Sequence, residues 1–212
     1  AAWIRAEKPD LVVHSGDVTR DAPGAPGEIA HAAARLAALD VPVLTIPGNH
    51  DVGDNPADGD HRPASPVGEA PLAAWREGFG ADRFLREIDG KRVVGLDAQL
   101  LLSGLAAEAA QEAWLDEALA GHARIALFVH KPLFLDAPEA PADAPWRYVP
   151  LAPRRRLLAR IRAGGVRLVG CGHVHQTRRV EADGTLYGWA PATAFVLPDA
   201  LQPRLGEKIC GV

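Results

Sequence analysis

The chain has 212 residues, 48% of them hydrophobic, and a formal net charge of −4. That is enough for one sizeable core, length favours one domain over two, and the acidic balance speaks against a protein that grips duplex DNA by its surface. Two cysteines, Cys171 and Cys210, cannot make a disulfide framework, and neither an apolar run of about 18 residues nor a signal-peptide pattern is present. No nucleic-acid or membrane partner is therefore expected. Both thiols are expected to be buried in a reducing compartment, which gives a cytoplasmic location.

In chain order, residues 1–8 read as the last turns of an amphipathic helix that Pro9 ends. Leu11–His14 is a short apolar strand closed by Gly16-Asp17. Glu28–Leu39 is a helix with Ile29, Ala33, Leu36 and Ala37 on one face, and Val41–Ile46 is the next strand. Strand, helix and strand in that order imply a parallel pair joined by a right-handed crossover. Residues 52–71 form a long Pro- and Gly-rich loop, and Pro71–Phe79 a short helix. Phe84–Ile88 and Arg92–Leu96 flank Asp89-Gly90, a hairpin signal. Ala107–Ala120 is a helix with Trp114, Leu115 and Leu119 inward, and Arg124–Val129 a strand ending at His130.

A second Pro-rich loop covers 136–150. A helix from Pro153 to about Ala163 is stopped by Gly164-Gly165, and Val166–Gly170 leads into Cys171-Gly172-His173. Asp183-Gly184 marks another hairpin. The chain opens on alanine and ends inside what reads as a strand at Ile209–Val212. It is expected to be a piece of a longer protein, residues 1–212 being one domain truncated at the N-terminus and open to extension at the C-terminus. Early strand–helix–strand units followed by hairpins point to an α/β fold with two mixed sheets face to face between helical layers.

Four polar blocks each follow an apolar strand: Gly16-Asp17, Gly48-Asn49-His50-Asp51, His130-Lys131-Pro132 and Gly172-His173-Val174-His175. Taken singly, each has a plain reading. Asp17 suits an Asx turn or helix cap as well as a bridging carboxylate. Gly48-Asn49 suits a turn as well as a neutral oxygen ligand beside an acid–base histidine. His130 suits packing as well as ligation. His173 and His175, two apart, would share one face of a strand and are a fair metal signal by themselves. Four such blocks at strand ends, in order, point together to a transition-metal site. Of the other histidines, His14 reads as a satisfied core residue, His31 and His122 as helix-surface or helix-end residues, and His61 as a loop residue. Arg154-Arg155-Arg156 reads as a solvated helix face.

This set resembles the calcineurin-like metallophosphoesterase superfamily, whose pattern runs Asp-x-His, Gly-Asp, Gly-Asn-His-Asp/Glu, His and Gly-His-x-His. All but the first motif occur here, between Gly16 and His175. The resemblance implies a four-layer α/β/β/α sandwich whose first strand lies outside this chain. It also implies two divalent or trivalent transition metals (Mn, Fe or Zn), with Asp17 bridging them, Asn49, His130 and His173 completing one position, and His175 in the other. His50 would act as proton donor or transition-state stabiliser, and Asp51 would orient it. The implied activity is hydrolysis of a phosphodiester or phosphomonoester in a small phosphorylated substrate, by attack of a metal-bridging hydroxide.

The domain length and the Gly-Asn-His-Asp form resemble the bacterial cyclic-nucleotide and glycerophosphodiesterase branch. Residues 48–53 and 130–135 also resemble a branch that dephosphorylates phosphoproteins. A non-catalytic binding module with an incomplete metal site is the main alternative, and a DNA-repair nuclease a weaker one. A homo-oligomer is compatible with all of these.

Overall fold

The computed structural model describes residues 2–59, 61–121, 124–142 and 144–212; Ala1, Asp60, His122, Ala123 and Asp143 fall outside that set. Helix α1 (Ala2–Glu7) precedes β1 (Val12–His14), α2 (Gly27–Ala37), β2 (Val43–Thr45), α3 (Asn49–Val52) and α4 (Glu69–Phe79). Then follow β3 (Phe84–Ile88), β4 (Lys91–Leu96), α5 (Ala106–Ala118), β5 (Ile125–Val129), α6 (Leu151–Gly164), β6 (Val166–Cys171), β7 (Arg178–Ala182) and β8 (Thr185–Trp189). The architecture is α/β, as the alternation of strands and helices implies.

The second sheet is mixed, with six strands in the order β3-β4-β5-β6-β8-β7. The first, among the described residues, is smaller than expected: β1 and β2 pair in parallel and no third strand joins them. Both hairpin signals are real, because Asp89-Gly90 and Asp183-Gly184 place two consecutive residues at positive φ. That geometry matches the right-handed twist of the strands they join.

Burial explains the helices. In α5 the buried residues Gln111, Leu115 and Ala118 recur at four- and three-residue spacing, and in α6 Arg154, Leu157, Leu158 and Ile161 do the same. Both helices lay that face on the six-stranded sheet, in a core that includes Val94, Leu127, Val129 and Val169. A second, smaller core gathers Ile29, Val52, Leu72, Trp75 and Leu100 under α2, α3 and α4.

The structure departs from five expectations. Ala37 is exposed, because α2 buries only Ile29 and Ala32. Ile209–Val212 is not a strand; it touches the fold through one isolated bridge between Ala192 and Cys210, so Cys210 is exposed while Cys171 is buried. Arg154 is not on the solvated face of its helix. It is 1% exposed, and its guanidinium donates to the carbonyls of Leu133 (2.8 Å) and Ala140 (2.9 Å). Arg155 and Arg156 do face solvent and pair with Glu139 and Glu112. His14 is half-buried, with its Nδ1 atom buried and unpartnered, rather than satisfied.

Strand direction does the positioning. Strands β4, β5, β6 and β8 are mutually parallel, so Asp97, His130, Gly172 and Ala190 leave the sheet along one edge. Parallel β1 and β2 likewise deliver Gly16-Asp17 and Gly48-Asn49 side by side. The long loops close beside that edge: Asp58 accepts from the Leu151 amide (2.8 Å), the His61 ring lies tilted against Trp146 (centroids 5.2 Å), and the Val149 amide donates to the Pro132 carbonyl (2.9 Å).

Replacing Arg154 with leucine strips the Leu133 and Ala140 carbonyls of a charged donor. It is expected to cost about 1.5–3 kcal/mol, and to make the 136–150 loop more sensitive to limited proteolysis. Arg155→Leu, which removes an exposed pair, is expected to stay within about 0.5 kcal/mol of wild type. Urea unfolding and proteolysis of the two variants check both.

Candidate metal centre

The site begins with two glycines. A methyl group on Gly16 (φ +99°) would stand 2.6 Å from His130 Nδ1 and 2.8 Å from the Gly48 amide. One on Gly48 would overlap Asp17 Oδ1 and lie 2.7 Å from His130 Cε1. Contacts that short are repulsive, so only glycine lets the ends of β1, β2 and β5 meet. Three side-chain-bearing residues, Asp17 (φ +54°), His173 (φ +65°) and His175 (φ +54°), are also held in the left-handed region. Each costs of order 1–3 kcal/mol, a strain that concentrates at functional sites.

Around these turns four acceptor atoms converge. His130 Nε2 lies 3.1 Å from Asn49 Oδ1, 3.2 Å from His173 Nδ1 and 3.3 Å from Asp17 Oδ2. The Asp17, His130 and His173 atoms all fall within 4.8 Å of one another. The His130 tautomer is set from behind, because Nδ1 donates to the Ser15 carbonyl at 2.7 Å and leaves the Nε2 lone pair pointing inward. Two imidazole nitrogens, a carboxylate oxygen and an amide oxygen face one another there, and only a ring proton or a cation can satisfy them together. Mixed nitrogen and oxygen donors suit a transition metal, so these residues fit the metal that the motifs imply.

The electrostatics agree. Burial opposes ionisation of Asp17, yet the facing imidazoles, His130 foremost, hold its carboxyl well below the usual range. Burial also opposes a charge on His130, but the attraction and hydrogen bond of Asp17 and the Ser15 carbonyl outweigh it, so its pKa rises above 6.5. His173 is pushed well below its ordinary value by burial and by its cationic neighbours, which disfavours a charge on its ring.

His175 lies outside that tight group. Its Nδ1 is buried and unpartnered, and it feels the charges of Asp17, His130 and His50. His50 is exposed beside the centre. Its amide donates to Asp17 Oδ1 (3.0 Å), and its Nδ1 donates to the Arg20 carbonyl (2.7 Å), which leaves Nε2 as the outward atom. Asp51 does not hold the His50 ring. Its carboxylate accepts from the amides of Gly48 (2.8 Å), Val18 (3.3 Å) and Thr19 (2.9 Å) and from the Thr19 hydroxyl (2.7 Å). It therefore caps α3 and pins the turn after Asp17, and Arg20 orients the imidazole.

One supporting group carries no local signal of its role. Lys131, fully buried behind His130, donates to Asp54 Oδ1 (2.5 Å) and Asn55 Oδ1 (2.6 Å), and Asn55 donates to the Leu101 carbonyl (2.8 Å). With its amide turned to suit its surroundings, Gln99 joins Asp54 and Asn55 (both 3.1 Å) to the Asn49 amide (3.2 Å). A lysine directly after a strand-end histidine is visible in the sequence, but nothing there shows that it points inward.

A calcineurin-like phosphoesterase family model matches residues 2–177, and the chain belongs to that family. It is similar to the mouse serine/threonine-protein phosphatase CPPED1, 28% identical over 220 residues that cover 97% of this chain and 63% of the relative. The human protein of that name is 28% identical over 218 residues, with 97% and 63% covered. The chain thus spans about 63% of the length of these curated relatives. They are vertebrate proteins and lend no support to the bacterial branch. Among solved structures, the fold is similar to purple acid phosphatase PPD1 from yellow lupin (TM-score 0.61, 18% identity, 87% of this chain and 37% of that one). It is similar also to a dimetal phosphatase from Danio rerio (TM-score 0.58, 18% identity, 90% and 74%). No helix among the described residues is long and apolar enough to cross a membrane.

Two outcomes are expected. Gly48→Ala should weaken metal binding by about 10–100-fold with the circular-dichroism spectrum kept, as measured by titration calorimetry. Because a cation must displace the His130 proton, apparent metal affinity should fall as pH drops through that raised pKa, by up to about tenfold per pH unit, and level off above it. Manganese or zinc titrations at a series of pH values check the slope.

Proposed function

We propose that this chain carries the metal-binding and catalytic part of a phosphoesterase. The observation that supports this most is the convergence of the Asp17 carboxylate, the Asn49 amide oxygen and the His130 and His173 ring nitrogens on one point. Asp17, Asn49, His130 and His173 would hold one metal, and Asp17 and His175 would contribute to a second, with Mn, Fe or Zn suiting the donors. Bound metals supply Lewis acidity toward the phosphoryl oxygens and a nucleophile at neutral pH.

The chain's own residues do the rest. His50, oriented by the Arg20 carbonyl, presents Nε2 to the ester oxygen that leaves and gives it a proton. The Asp17 carboxylate, held ionised, fixes the His50 backbone through its amide while its other oxygen faces His130. Asp51 keeps Asn49 and Asp17 in register by bonding both turns at once. The relatives named as serine/threonine-protein phosphatases favour a phosphomonoester, in line with the 48–53 and 130–135 matches, over the glycerophosphodiester reading. A small phosphorylated compound and a phosphoprotein share the same phosphoryl chemistry.

The test is turnover of p-nitrophenyl phosphate and bis(p-nitrophenyl) phosphate after loading with Mn, Fe or Zn. Turnover that vanishes with a chelator is expected. His50→Ala should lower kcat by about 10²–10⁴-fold with metal content kept. Bound metal without turnover of either ester would favour the non-catalytic binding module. Loss of metal in His50→Ala would make His50 a ligand.

A further inference from the structure

Strand β8 ends beside the Gly172 block, where the Ala190 amide donates to the Cys171 carbonyl at 2.7 Å. The chain then forms a loop over residues 190–201 at the same edge as the metal centre. That loop is braced. Lys208 Nζ, its side chain 4% exposed, bonds the Leu197 carbonyl (2.9 Å), Asp199 (2.9 Å) and the Gln202 carbonyl (2.6 Å). The Gly211 amide donates to Ala192 (3.1 Å). Gln176, next in sequence to His175, is fully buried and bonds Gln202, the Pro203 carbonyl and the amides of Leu205 and Gly206. The segment that follows the loop is therefore tied to the residue after the last candidate ligand.

On this braced loop Phe195 stands edge-on to the His175 imidazole, ring centroids 5.0 Å apart and planes at 88°. The ring belongs to neither hydrophobic core. It is 49% exposed, and Val196 beside it is 43% exposed. An aromatic ring on a braced loop, half in water and edge-on to a candidate ligand, has an unfilled apolar face at the mouth of the site.

We infer that Phe195 is a specificity-determining residue, and that the substrate is a phosphate ester whose alcohol side presents a flat or apolar face next to the phosphate. The inference rests on the phosphoesterase reading above. With the phosphate at the Asp17–His175 side, an aromatic or apolar ester arm covers the free face of Phe195, whereas a glycerol-like arm leaves that face wet. A ring contact of this kind is worth roughly two- to tenfold in affinity.

Two non-hydrolysable probes with the same headgroup test this on the metal-loaded chain: phenylphosphonate and methylphosphonate, with dissociation constants from calorimetry. Wild type is expected to prefer phenylphosphonate by roughly two- to tenfold. Phe195→Ala should erase that preference with methylphosphonate affinity unchanged, and Phe195→Tyr should restore it. A preference that survives in Phe195→Ala, or is absent from wild type, overturns the inference. So does an equal loss of both probes in Phe195→Ala, which would make Phe195 a prop for His175. Failure of the metal-loaded wild type to bind either phosphonate overturns the phosphoesterase reading instead.

Discussion

The structure depends on one close approach. At Gly16 and Gly48 the ends of β1 and β2 come so near His130 that a single methyl group has no room. Everything chemical about the site follows from that contact. It brings the Asp17 carboxylate within 3.3 Å of His130 Nε2 and within reach of the His50 amide, and it draws Asn49 and His173 onto the same point. The left-handed backbone at Asp17, His173 and His175 is the conformational cost of aiming three side chains from tight turns at one small volume.

Such a cluster is unfavourable on its own terms. Asp17, His130 and His173 give up water for a crowded buried cluster, and their mutual attraction raises the His130 pKa while it lowers that of the Asp17 carboxyl. The surroundings carry the load from behind. Ser15 fixes the His130 tautomer, Asp51 ties the turn after Asp17 to the start of α3, and Lys131 with Asp54, Asn55 and Gln99 joins β5 to Asn49. None of these supporting groups need touch a substrate. Their effect is to hold the converging atoms to tenths of an ångström, the tolerance that ligand geometry demands.

The legibility of the sequence followed the range of the interactions. Asp89-Gly90 and Asp183-Gly184 were readable as hairpins because turn conformation is settled within four residues. The α5 and α6 faces were readable because burial repeats with helical period. Arg154 broke that second rule. It sits at a core position of α6, and only the two carbonyls waiting there, from Leu133 and Ala140, make a buried guanidinium tolerable. Asp51 misled for a similar reason: its neighbour in sequence is His50, but its partners lie across the site on Val18 and Thr19.

By itself the sequence determined which residues could be ligands, and that each would stand at a strand end. Those facts depend on residue type and on local hydrophobic runs, and with the order of the motifs they were enough to indicate the family. Only the tertiary structure decided which atoms meet. Parallel pairing sets β4, β5, β6 and β8 to end on one edge, and two glycines allow β1 and β2 to close on it. The structure also decided that Arg20 orients His50, that Lys131 turns inward, and that Phe195, remote in sequence from the other blocks, stands against His175. Contacts between residues tens of positions apart are set by packing and register, which no local pattern records.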